Sequence, residues 1–524
     1  MSPWSTLVAI CTIFVQSATV ASDYGGGRWK WYEQHPPIVG SKDHTVLFKL
    51  PLSEQGILEP WPSYTNRWER WDDDHVKMPY SSQSKYFYAN RGIKRLKPHR
   101  RWEVIKEKLR QNIRSFDDFE RAVSSYNHGF AKHWHFKALQ RYFDKVATKE
   151  VTDDFFRRLL PKVIDLALNL PKLITAPIPL LVKNKYHAIS LTQLQIASLL
   201  ANAFLCTFPM EGRNKSYTSI NFDRLFSAYD RKRPERSTCV MEKFKFILHY
   251  FDRVTSADPT GTITIQRRYK PEKYHTKWWE QHEKLASIEI WDRGTMEIEG
   301  ANMLQVDFAN KKVGGGVLSY GCVQEEMKYV IYPELIVTRL ITEALGDDEA
   351  LVVSGIERYS DHKGFRGSFT WTGNHVDATP RDSSRRRATF LVAIDALNFD
   401  QSPDVQFDRR KILRELNKAY VGFESKNTKN LPPIATGNWG GGAFKGNPKL
   451  KFLLQWMAAT VADRPMVYFT FGDRKLRDDV TKVYNYVIDQ KMTVDHLYSL
   501  LTEKQNRRWR VAQRQNLYRL IHET

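Results

Sequence analysis

The stretch Leu304–Glu326, LQVDFANKKVGGGVLSYGCVQEE, constrains this chain more than any other part of it. Gln305, Val306, Asp307, Phe308 and Ala309 alternate in the manner of a strand, and Glu325 and Glu326 open a segment of helical character. Between them, Gly314, Gly315 and Gly316 can present backbone N–H groups with no side chain in the way. A glycine run ahead of a positive helix end favours phosphate oxygens without any cationic side chain. The loop is therefore expected to receive a nucleotide diphosphate. Adjacent carboxylates repel, and the less solvated one is pushed toward its protonated form, the state a general acid needs to hand a proton to a departing sugar oxygen. The helix N-terminus pulls the other way by stabilising the charged form. A lone triple glycine is more often a hinge and a lone Glu-Glu pair a solvated helix start. Together they read as a phosphate binder with carboxylate chemistry.

Composition bounds the alternatives. A chain of 524 residues with 42% hydrophobic and 13% aromatic content buries large cores and forms more than one domain. Eighty basic against 59 acidic residues leave a net charge of +21, which suits a polyanionic partner and keeps a basic nucleic-acid binder, also suggested by 15 tryptophans, as a competing class. The clusters Arg95–Arg101, Arg385–Arg387 and Arg507–Arg510 are steering candidates, though such runs are more often solvated surface. Cys206, Cys239 and Cys322 are dispersed, with Cys11 set apart in an apolar leader, so no structural disulfide is expected. His128, His133 and His135 lack the spacing of a metal site, and no metal is expected.

Along the chain, residues 22–90 are rich in Pro and Trp and read as an extended wrapping segment. Helical spacing then dominates: Trp102–Ile113 and Phe136–Val146 are helix candidates, and Ser190 with Gln193 makes a capping box ahead of Ile196–Phe204. An all-helical accessory domain over residues 91–250 is expected. Beyond it, strand candidates Thr262–Ile265, Ser287–Trp291, Leu304–Phe308, Leu351–Ser354, Phe390–Ile394 and Val467–Phe471 alternate with helix candidates Lys328–Ala344, Arg409–Tyr420 and Leu450–Val461. That alternation predicts a layered α/β domain over residues 251–500, followed by a basic tail, 501–524.

The glycine run followed by Gln324, Glu325 and Glu326, with VDFAN before it and YPELI after it, resembles the poly(ADP-ribose) glycohydrolases. Further segments similar to that family follow in its order: WDDDHVKMPYS (Trp71–Ser81), IASLLANAFLCTFP (Ile196–Pro209), SINFDRLF (Ser219–Phe226), RELNKAYVGF (Arg414–Phe423), TGNWGGGAF (Thr436–Phe444) and VYFTFGD (Val467–Asp473). The resemblance implies a macrodomain, a mixed sheet sandwiched between helices, with its ligand cleft where glycine loops gather at strand ends.

The resemblance also implies roles. Glu326 becomes the general acid and then the base that activates water. Glu325 and Asp307 hold ribose hydroxyls, supported by Asn310. Gly314, Gly315 and Gly316 and the second loop, Gly440, Gly441, Gly442, Ala443 and Phe444, bracket the diphosphate, with Phe444 against the distal ribose. Phe471 lines the nucleotide cleft, Met296, Glu297 and Gln324 surround adenine, and Asn438 shapes the second loop. Phe365 stands where vertebrate members place a tyrosine; stacking survives but a hydroxyl hydrogen bond, typically about 0.5–1.5 kcal/mol, is lost. No cofactor or metal is implied.

The implied partners are poly(ADP-ribose) and poly(ADP-ribosyl)ated proteins, handled by a monomer with no need for membrane or direct nucleic-acid binding. A catalytically silent reader of the polymer is the alternative, and the intact Gln-Glu-Glu triplet argues against it. The family works in nucleus and cytoplasm. Residues 1–21, with an apolar Leu7–Val15 core, instead read as a signal-like leader for secretion, which the triplet Asn214-Lys215-Ser216 fits weakly.

Overall fold

A computed structural model describes residues 37–52, 59–61, 70–87, 98–210, 216–425, 431–502 and 518. The leader 1–21 with Cys11, residues 22–36, 53–58, 62–69 and 88–90 of the segment that follows it, residues 95–97, Asn214 and Lys215 of the glycosylation triplet, and the Arg507–Arg510 cluster lie outside the described residues.

In chain order the strands are β1 (His44–Val46), β2 (Lys85–Phe87), β3 (Pro98–Arg100), β4 (His187–Thr192), β5 (Thr262–Tyr269), β6 (Glu289–Trp291), β7 (Leu304–Ala309), β8 (Glu349–Gly355), β9 (Ser360–Lys363), β10 (Thr370–Asn374), β11 (Arg387–Asp395), β12 (Ile434–Thr436) and β13 (Met466–Phe469). Nine of them form one sheet in the order β1-β4-β5-β8-β11-β7-β12-β13-β6. From β11 to β6 every pairing is parallel, whereas β4, β5, β8 and β11 pair antiparallel.

The sheet is mixed and covered on both faces, as its side-chain alternation shows. Leu351 and Val353 of β8 and Leu391 and Ala393 of β11 join one core with the helices Gln193–Phe204 and Thr238–Ser256. Ala350 of β8 and Phe390, Val392 and Ile394 of β11 join the other with the helices Arg409–Phe423 and Pro448–Val461. Period-two side chains on buried strands require two such layers.

The helical region packs around Phe119, Phe136, Phe204 and Phe226; Phe204 and Phe136 each meet Phe226 edge to face at 5.1 Å between centroids. Such pairs contribute roughly 0.5–1.5 kcal/mol each beyond area burial. This region also lends the sheet β4, and that strand moves the capping box. Ser190 lies within β4, its hydroxyl 2.8 Å from Thr264 Oγ1, so the box forms two residues later. Thr192 Oγ1 accepts from Gln195 N at 3.0 Å, and Gln195 Oε1 accepts from Thr192 N at 2.9 Å.

Three other expectations shift for local reasons. The helix expected over Lys328–Ala344 is broken into Gln324–Ile331, a 3₁₀ turn Pro333–Val337 and Thr338–Ile341, because Pro333 has no N–H to donate and its ring excludes a continuous helix. The helix expected over Phe136–Val146 runs as Lys137–Arg141 and continues as a π turn, Tyr142–Val146. The strand expected over Val467–Phe471 stops at Phe469, where Phe471 and Gly472 turn the chain with φ of +52° and +87°.

Cys239 and Cys322 form a disulfide, with Cα atoms 6.3 Å apart at a sequence separation of 83. The expectation of no structural disulfide is corrected: spacing along a chain says nothing about distance once the start of the Thr238–Ser256 helix lies against the loop preceding Gln324. Cys206 is left free and buried. Closing a loop of this length in the unfolded chain stabilises the fold by roughly 2–5 kcal/mol. The double variant Cys239→Ser with Cys322→Ser should therefore melt several degrees lower in a thermal scan; an unchanged Tm would rule out this contribution.

Candidate active site

The site begins with a gap in the sheet. Along one edge β11 pairs with β7 from Leu304 to Ala309, but along the other β12 pairs with it only at Leu304 and Gln305. The peptide groups beyond would be stranded, and the Gln324 side chain takes them: its Oε1 accepts from Phe308 N at 2.9 Å and its Nε2 donates to Val306 O at 3.0 Å. A side-chain amide thus substitutes for a strand and anchors the start of the Gln324–Ile331 helix to β7.

The next two residues grip the preceding loop. Glu325 accepts from Gly314 N at 2.6 Å and Asn310 N at 3.0 Å; Glu326 accepts from Gly316 N at 2.8 Å and Val323 N at 2.9 Å. Gly315 N donates to Lys312 O at 3.2 Å. All three amides of the first glycine run are therefore used inside the protein, contrary to the expectation that they are bare for phosphate. The glycines serve close approach instead: Gly314 and Gly315 have φ of +81° and +42°, and a Cβ on Gly315 would lie 2.5 Å from both Glu325 Oε2 and Glu326 Oε1. A Cβ on Gly321, a position the sequence reading passed over, would lie 2.6 Å from Glu326 Oε1.

The carbonyls of the same loop face two buried cations, Lys243 and Arg339, that sequence reasoning also missed. Lys243 Nζ donates to Val317 O at 3.0 Å and Ser319 O at 2.9 Å, and Arg339 Nη1 donates to Gly315 O at 2.9 Å. Burial lowers the Lys243 ammonium to about 7 and the Arg339 guanidinium to about 10. A signal for Lys243 did exist: it shares a helix face with Phe246, Ile247 and Tyr250, all buried. A lysine on an apolar stripe needs an interior partner.

Burial, followed by repulsion from Asp307 and Glu326, pushes the Glu325 carboxyl well above its usual range. Burial raises Asp307 to about 8 despite the pull of Lys328. Neither Asp307 oxygen has a hydrogen-bond partner. Among the sequence-derived site residues, Asp307 and Gly314 do not reach the cleft; both lie behind its wall. The others surround one cavity of about 1200 Å³.

Opposite the glutamates, the second glycine loop differs from the first. Gly441 N is used by Asn438 O at 2.9 Å, yet among the described residues the amides of Gly442, Ala443 and Phe444 donate to no protein acceptor. Asn438 is held by Tyr468, whose hydroxyl donates to its Oδ1 at 2.9 Å. Elsewhere on the cavity wall, Glu297 pairs with Lys328 at 2.5 Å; burial raises this carboxyl, but the attraction of Lys328 outweighs it and leaves it below its usual range. Met296 is buried in the wall, while Phe365 and Phe471 present half-exposed rings.

Elsewhere, the Arg385–Arg387 cluster is part of the fold, with Arg386 paired to Asp382 and Arg387 to Glu357. Among the described residues no cluster of His, Cys, Asp or Glu could hold a metal, and no helix is long and apolar enough to cross a membrane.

The chain is similar to known proteins over most of its length. The family model described as poly(ADP-ribose) glycohydrolase, macro domain fold, matches residues 275–478, and the one described as the helical domain of the same family matches 147–267. Probable poly(ADP-ribose) glycohydrolase 2 of Arabidopsis thaliana is 32% identical over 442 residues, covering 71% of this chain and 83% of the relative. Poly(ADP-ribose) glycohydrolase 1 of the same plant is 30% identical over 451 residues, covering 69% and 80%. A solved poly(ADP-ribose) glycohydrolase from Thermomonospora curvata aligns with a TM-score of 0.29 at 13% identity over 43% of this chain and 85% of that one, too low for the likeness to bear on the fold. With its helical and macrodomain parts matched in order, the chain belongs to the poly(ADP-ribose) glycohydrolases, a family of glycoside hydrolases.

Proposed function

We propose that this protein hydrolyses the ribose–ribose O-glycosidic bonds of poly(ADP-ribose), on free polymer and on modified proteins, mainly from chain ends and with release of ADP-ribose. The observation that carries this reading is the pair Glu325 and Glu326, oriented by loop amides and sharing a cleft with a second glycine loop whose Gly442, Ala443 and Phe444 amides have no acceptor among the described residues. A cavity of about 1200 Å³ has room for a nucleotide-sugar unit.

In this mechanism Glu326 protonates the departing ribose oxygen as the glycosidic bond breaks, then takes a proton from the water that adds to the oxocarbenium-like carbon. Glu325 is held protonated by its surroundings and donates to a ribose hydroxyl, with Asn310 beside it. Asp307 acts through Glu325 as a positioning residue. The free amides of the second loop receive the diphosphate, Phe444 packs on the distal ribose, and Phe471 flanks the nucleotide.

Removing a general acid costs roughly 10²–10⁴-fold in rate. Glu326→Gln should lose ADP-ribose release from purified polymer by that factor while still binding it. Release at the wild-type rate would remove Glu326 from the acid role, and binding without release by either protein would mean a reader.

A carboxyl raised on folding stabilises fully below its unfolded pKa, near ~3.9 for Asp, and loses that contribution as pH climbs toward its folded value, about 8 for Asp307. Asp307→Asn should therefore gain several degrees in Tm over wild type at pH 8 and little at pH 4. Parallel melting curves across that range would contradict the buried, protonated Asp307.

Phe365→Tyr restores the family's hydroxyl and should tighten ADP-ribose binding roughly two- to tenfold, the range of one neutral hydrogen bond. Titration calorimetry giving equal affinities would show that no acceptor waits there.

A further inference from the structure

Several arginines buried in the fold are held by carboxylates, whereas Arg366 is exposed on the cleft wall. Arg253 and Arg387 reach Glu357, Arg267 reaches Glu349, Arg358 reaches Asp361, and Arg414 reaches Asp395. Arg366 differs. It lines the cleft, yet among the described residues its guanidinium has neither a carboxylate nor a carbonyl partner. It lies over the Phe365 ring, 5.5 Å from the ring centroid, which orients its planar fork.

Its other neighbour is the second glycine loop. A Cβ built on Gly442 would meet nothing within 4 Å except Arg366 Nη2, at 3.8 Å. The guanidinium therefore stands over the open face of the segment whose amides, at Gly442, Ala443 and Phe444, have no protein acceptor. Backbone donors without a protein acceptor and a free guanidinium on the same part of the cleft wall suit an anion, and the guanidinium fork matches phosphate oxygens in pairs.

The backbone at Arg366 points the same way. Its φ is +54°, in the left-handed region that costs a non-glycine residue about 1–2 kcal/mol. The turn that holds it is local: Phe369 N donates to Arg366 O at 3.0 Å, and Phe365 N donates to Ser368 Oγ at 3.0 Å. Gly367, the next residue, would have taken that conformation without strain.

We propose that Arg366 is a substrate-binding residue that closes the diphosphate subsite, contacting the phosphate oxygens of an ADP-ribose unit from the side opposite the second glycine loop. The proposal rests on the glycohydrolase reading above. It adds a charged ligand that none of the sequence motifs contains and places part of the affinity on the loop that also carries Phe365.

The test is ADP-ribose affinity by titration calorimetry for wild type, Arg366→Ala and Arg366→Lys, each at two salt concentrations, with Tm measured alongside. Arg366→Ala should bind at least tenfold more weakly with a shallower salt dependence and an unchanged Tm; Arg366→Lys, which keeps the charge but not the fork, should fall between. Equal affinity for wild type and Arg366→Ala would overturn the proposal and leave the guanidinium as a cover for Phe365. Weaker binding with an undiminished salt dependence or a lowered Tm would overturn it as well, by assigning the loss to the turn. Failure of the wild type to bind ADP-ribose at all would take down the glycohydrolase reading and this inference with it.

Discussion

The loop between Asn310 and Val323 is suspended between opposite charges, and the active site depends on that arrangement. Its amides point at the carboxyls of Glu325 and Glu326, and its carbonyls point at Lys243 and Arg339. The peptide units Val313–Gly314 and Gly315–Gly316 are thus each held between a carboxyl acceptor and the Arg339 guanidinium, in an interior where such interactions are strong and an unpaired group is costly. Glycine is needed because the carboxylates come within 2.5 Å of where a side chain would begin at Gly315. The loop is a rigid dielectric layer, and the glutamates inherit its rigidity.

That layer exists only because the sheet parts. β12 leaves β7 after two residue pairs, and the Gln324 amide satisfies the peptide groups left behind. One side chain therefore terminates a sheet, starts a helix and sets the position of the two carboxyls that follow it. Burial, reinforced by the neighbouring carboxyls, then raises Asp307 and Glu325 toward their protonated forms.

Much of this was legible in the sequence. The strand before the glycine run and the helix opening at the glutamates stand where the alternation and spacing put them, and the ordered motifs pointed to a macrodomain behind a helical region. What was not legible depended on distance in space. Three residues, Ile434–Thr436, form a central strand too short to show a period. Ser190 mimicked a cap because Ser and Thr are interchangeable there until strand pairing chooses between them. Asp307 looked like a cleft residue because its place at a strand end says nothing of how deep that end lies. That Glu325, Glu326 and Lys312 claim the amides of the first glycine run is not legible either, because spacing reveals flexible donors but not which acceptor claims them.

The cross-link between Cys239 and Cys322 is attached to this same loop, one residue past Gly321 and two before Gln324. Lys243, which holds the loop carbonyls, sits one turn along the helix from the other cysteine. A thiol reductant would therefore cut a tether within the catalytic apparatus as well as shorten the ledger of stability. The covalent state of this pair is therefore a variable of the site's geometry as well as of the fold's stability.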